Sequence, residues 1–153
     1  MAGGVLGRRS QSQQWVRDNQ TKTYSTFLQE FTKVEMELRD AYLEDRPAAL
    51  DWAPWNAALV SLSLVATREV AAAAAELTSG IGQLGLMVDH SPKTREELQE
   101  IVSALAAAQL AFVNAARRSL HPSQDPLDWQ LGGPPGWHEI EPYLPASRAG
   151  ESA

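Results

Sequence analysis

Cysteine is missing from all 153 residues, which removes disulfide frameworks, thiolate metal sites and cysteine nucleophiles at once. The compartment stays open, because a chain without thiols suits oxidising and reducing surroundings equally. A basic surplus is missing too: 13 Lys and Arg face 19 Asp and Glu, for a net charge of −6. Residues 1–46 carry seven of each sign, 47–92 one base against four acids, 93–120 four against three, and 121–153 one against five. No segment has the excess that phosphate binding needs, so no nucleic-acid partner is expected. The acidic tail would repel DNA and anionic lipid alike. A hydrophobic opening is also lacking. "MAGGVLGRRSQSQQ" has only Val5 and Leu6 as large apolar residues between Met1 and Arg8, too few for a signal-peptide core or a membrane span. No later stretch is long enough without charges. The chain therefore reads as soluble, without a membrane span and cytoplasmic.

What remains is an ordinary globular composition, 44% hydrophobic and long enough for one domain with a real core. From Tyr24 the apolar residues fall at Tyr24, Phe27, Phe31, Val34, Leu38 and Ala41, alternating steps of three and four. That spacing is one face of a long helix, predicted over residues 12–45 and stopped by Pro47. Asp51 and a first-turn Pro54 open a second helix in "LDWAPWNAALVSLSLVA", where Leu59, Leu62 and Val65 share a face. Its "VSLSL" alternation is strand-like, but the surrounding alanines and leucines favour helix. Thr67 caps a third, alanine-rich helix. Ser91-Pro92 and the capping box Thr94-x-x-Glu97 open a fourth, whose buried face runs through Leu98, Ile101, Leu105, Phe112, Ala116 and Leu120. Arg117 and Arg118 suit its last turn. Small alanines should let the third and fourth helices pack closely and antiparallel. The expected fold is an all-α four-helix bundle over residues 12–120, with a long first helix. A flexible stretch, 1–11, precedes it and an irregular Pro- and Trp-containing tail, 121–153, follows.

Chemistry is scarce. Gly80, Gly82 and Gly85 spell G-x-G-x-x-G, but an alanine run precedes them where dinucleotide binding needs a strand. They read instead as glycines that loosen or end the third helix, or let it pack closely. No histidine sits in the Glu-x-x-His pattern of di-iron bundles, since Met87, Arg118 and Pro135 stand three residues before His90, His121 and His138. His138-Glu139-x-Glu141 reads as a solvated tail cluster. There is no Gly-x-Ser-x-Gly elbow. The pairs Glu35/Glu37, Glu96/Glu97 and Asp125/Asp128 read as solvent-facing. No catalytic residue, cofactor or metal is expected.

The opening of the first helix is the more informative region. Asp18 stands four residues from Lys22, an ion-pair spacing, and Arg17 and Gln20 occupy positions that continue the stripe backwards. The stripe thus turns polar, so the helix either overshoots the bundle or meets a polar partner. "WVRDNQTKTYSTFL", "LVATREVAAAAAEL" and "AFVNAARRSL" resemble, in that order, three blocks of a group of small uncharacterised actinobacterial proteins. These open with Trp-x-Arg-Asp-(x)5-Tyr-x-x-Phe-Leu. The resemblance spans residues 13–120 and implies a helical bundle, with no catalytic residues to carry over. Many members have a membrane helix just before the tryptophan, which this chain lacks. It is either a soluble member or begins upstream of residue 1, with Arg8 and Arg9 as the positive flank of an anchor.

The expected function is a non-catalytic interaction module, binding a protein partner or itself through Trp15, Arg17, Asp18, Trp129, Trp137 and Tyr143. The alternative is a membrane-tethered accessory domain, and an enzyme of unrecognised type is third. The tail holds two of five tryptophans and six of nine prolines. Burying such rings favours residues 121–144 folding back as a strap over the bundle, with the last nine residues free.

Overall fold

The computed structural model describes residues 3–90 and 94–132 and folds them into α1 (Gly3–Leu43), α2 (Trp52–Val65), α3 (Arg68–Asp89) and α4 (Arg95–Leu120). The protein is an all-α four-helix bundle, with no strand among the described residues. All six stripe residues of α1 are buried, Phe27, Phe31 and Ala41 completely. Phe27 contacts the rings of Trp55 on α2 and Phe112 on α4, with centroids 5.2 and 4.9 Å away. Tyr24 meets Phe112 edge-on, and its hydroxyl is 3.0 Å from that of Ser119. "VSLSL" is helical.

Three starts are set by side-chain caps. Asp51 accepts from the Ala53 N–H, Thr67 from that of Val70, and Thr94 from that of Glu97. Ser91 and Pro92 lie outside the described residues, and the cap of α4 is Thr94. α1 differs from expectation at both ends. It begins at Gly3, so residues 3–11 continue the helix where a flexible lead was expected. Arg8, Gln11, Gln13 and Gln14 are good helix formers, and no proline interrupts them. It ends at Leu43, before Pro47 acts. Asp45 takes a left-handed conformation (φ 52°). The Arg46 N–H then donates to Ala41 O and the Asp45 N–H to Tyr42 O, a Schellman ending.

α3 and α4 make the most extensive helix pair. They run antiparallel, since Arg118 lies 3.6 Å from Glu69 while Leu105 lies against Gly80. Among the described residues one helix stretch, Glu96–Leu120, is long and apolar enough to cross a membrane by length and composition alone. Its uncharged, alanine-rich run from Ile101 to Ala116 accounts for this. In the fold the same helix gives Leu98, Leu105, Phe112, Ala115 and Ala116 to the core.

The pair Glu35/Glu37 was expected to face solvent, and it does not. Glu35 follows Phe31 by four residues and precedes Leu38 by three, so the buried face widens to include it. Glu37 belongs to a clamp at the α1–α2 corner. Arg46 donates to both its oxygens, at 2.6 and 3.1 Å, and to Glu44 at 2.6 Å. The Ala49 N–H donates to Glu37 at 2.7 Å. The Arg46 hydrogen bond, then that of Ala49, holds the Glu37 carboxyl at a pKa of about 2. Because the folded pKa is depressed, the clamp's contribution is complete above the ordinary carboxylate range and is lost as pH falls toward 2. Glu37→Gln is therefore expected to be less stable than wild type at pH 7, with the gap closing between about pH 5 and pH 2. Urea unfolding at several pH values checks this, and a pH-independent gap would remove the clamp.

Candidate functional site

The opening stretch sits on a helix that leaves the bundle. Gln20 donates to Val65 O, the last residue of α2, at 2.9 Å. Before it, every residue from Gly7 to Asp18 is exposed, with Trp15 at 68%. The helix overshoots. Asp18 does not reach forward to Lys22, and its Oδ1 accepts from Gln14 Nε2 at 2.8 Å, one turn back. Asn19 and Thr21 likewise return their side chains to the α1 backbone. These local bonds suit a solvated helix and give no catalytic geometry.

A second surface adjoins it. α2 contains no charged residue, yet only Trp55, Ala58 and Leu62 are buried. Leu59 and Val65, expected on the buried face, are half-buried. Trp52, Val60 and Leu64 point outward, the last two 63% and 80% exposed. A helix without charge and mostly apolar is normally enclosed. Here one side of it is open. Sequence reading missed Trp52, Val60 and Leu64, although the uncharged run 52–65 carried the signal.

The tail begins by doubling back along α4. Asn114 pairs through its amide with both backbone groups of Leu127 at 2.8 and 3.0 Å, Arg117 donates to Asp125 O, and Gln130 bonds Gln109. Trp129 nevertheless stays 63% exposed, so this part of the tail is held by hydrogen bonds without burying the ring that motivated the strap. Trp137, Tyr143 and the His138 cluster lie outside the described residues. Ser119 is level with Tyr24, so Trp129, beside Gln109, sits about 28 Å along the bundle from Trp15. The structure gathers Trp15, Arg17 and Asp18, and leaves Trp129 apart.

Other features are structural. Glu35 pairs with Arg39 at 3.1 Å, and burial pushes its carboxyl up despite that guanidinium. The adjoining void, between Tyr42, Leu84, Leu98 and Val102, is about 10 Å³, scarcely room for one water. A larger open cleft of about 430 Å³ lies between Leu86, Met87, His90 and Ile101, with Glu97 and Glu100 at its rim. Among the described residues no group of three or more His, Asp or Glu could hold a metal ion.

The three glycines lie inside α3, which continues to Asp89. They do not end it. A Cβ at Gly80 would stand 2.7 Å from Leu105 Cδ1, so there glycine permits close packing, whereas Gly82 has open space. Gly82→Ala is expected to raise stability by about 0.5–1 kcal/mol through helix propensity. Gly80→Ala should gain less or lose, because Leu105 is fully buried and must shift. Urea midpoints for the two variants check this; a destabilised Gly82→Ala would contradict an uninterrupted helix. Comparison of the chain with family models, with curated proteins and with solved structures finds no match.

Proposed function

We propose that the protein is a non-catalytic helical interaction module whose working surface is the free end of α1 together with the open face of α2. The observation that carries this reading is the overshoot: α1 runs as helix from Gly3, and all of residues 7–18 are exposed. Glycines at 3, 4 and 7 cost helix about 1 kcal/mol each relative to alanine, so an unsupported extension would fray. Packing against a partner supplies the missing support, and Trp15 is the type of residue that anchors interfaces.

A second reading, a membrane-tethered accessory domain, has support in the same helix. α1 continues unbroken past Arg8 and Arg9, as a stalk leading to an upstream anchor would, and the resembling actinobacterial proteins often carry one before the tryptophan.

A photo-reactive phenylalanine analogue at position 15, irradiated in cells, tests the first reading. Protein adducts are expected at position 15 and not at buried position 31. Adducts no stronger at 15 than at 31 would overturn it, and adducts to lipid alone would favour the tethered domain.

A further inference from the structure

We infer that the partner is a second copy of this chain, in a two-fold dimer whose α1 helices cross near Arg17 and Asp18. Each free end then lies along the open face of the other copy's α2. This rests on the interaction reading above and names the partner.

The dimensions agree. Residues 3–19 of α1, seventeen residues, extend about 25 Å beyond the bundle, and the fourteen residues of α2 span about 21 Å. The two unpartnered surfaces are on one molecule, and a two-fold axis covers both in a single event, because such a contact is self-complementary. Trp15 and Val16 on the free end face the same problem as Val60 and Leu64 on α2: all four are exposed.

Charge permits the arrangement and fixes its centre. α2 is uncharged, so Arg8, Arg9 and Arg17 meet no like charge when the free end lies on it. At an antiparallel crossing, adjacent residues of opposite sign pair reciprocally. Arg17 comes beside Asp18 of the partner subunit, and Asp18 beside the partner's Arg17. This gives the Arg-Asp pair of the opening stretch a use that its local hydrogen bonds do not. Each protomer would contribute two strips of about 25 by 10 Å, a flat footprint near 500 Å². Accessible area exceeds flat footprint, so the contact falls at the lower end of specific interfaces, which hide about 800 Å² per partner.

Sedimentation equilibrium of the full chain, from micromolar to about 0.5 mM, tests the proposal. The mass should rise from 16.7 kDa toward twice that value. Val60→Asp with Leu64→Asp should weaken association at least about tenfold, as should Arg17→Asp alone. The exchanged pair, Arg17→Asp with Asp18→Arg, should restore it. All these positions are exposed, so the bundle should stay folded: circular dichroism should keep the helix of the bundle and lose at most that of residues 3–19, which the dimer supports. A mass of 16.7 kDa throughout, or either weakening variant associating like wild type, overturns the dimer. Failure of the exchanged pair to restore association overturns the crossing at Arg17 and Asp18. Adducts from position 15 to another protein, with the chain monomeric, would leave the interaction reading standing and remove this one.

Discussion

Phe27 is fully buried between the rings of Trp55 and Phe112, so one side chain of α1 links α2 to α4. α2 and α3 touch only slightly, and α1 meets α4 much less extensively than it meets α2. The bundle is therefore two helix pairs, α1 with α2 and α3 with α4, joined along α1, which meets α3 more extensively than α4 and interlocks its aromatic rings with those of α4. Removing a buried phenylalanine costs a typical core about 3–5 kcal/mol. At this position the loss would fall on the seam between the pairs. The clamp of Glu37, Arg46 and Ala49 acts on a smaller scale, fixing how the chain leaves α1 and enters α2.

Most of this architecture was legible in the residues because its determinants are local. Spacing of three and four fixed the buried face of α1, and Asp51, Thr67 and Thr94 marked the starts of the other helices as capping chemistry requires. The misreadings of Glu35 and Gly80 share one cause, which is tertiary context, whereas that of the end of α1 is local. Glu35 looked solvated because its charge was weighed more heavily than its place between Phe31 and Leu38. The end of α1 was assigned to Pro47, whereas Asp45 ended it in a conformation favoured for glycine. Gly80 was ambiguous until Leu105 was known to lie against it.

The candidate surface was only half legible. The polar turn of the stripe before Tyr24 announced that α1 outruns its neighbours. The open face of α2 went unread because a helix without charge is ordinarily a buried one, and the polar Asn56, Ser61 and Ser63, all of them exposed, were passed over. Which side is covered depends on where Phe27 meets Trp55.

The unbroken path of α1 from Gly3 to Leu43 ties position along the chain to direction in space. A residue inserted between Asn19 and Tyr24 would advance the free end by about 1.5 Å and turn it through about 100°. Trp15 would then point away from its former side while the bundle stayed unchanged. An insertion of seven residues would nearly restore the direction, at a reach about 10 Å longer. Length changes in this stretch are thus unequal in effect: those near whole numbers of turns move the surface outward, and the others re-aim it. The bundle itself, anchored from Tyr24 onward, would lose at most the bond from Gln20 to Val65 O.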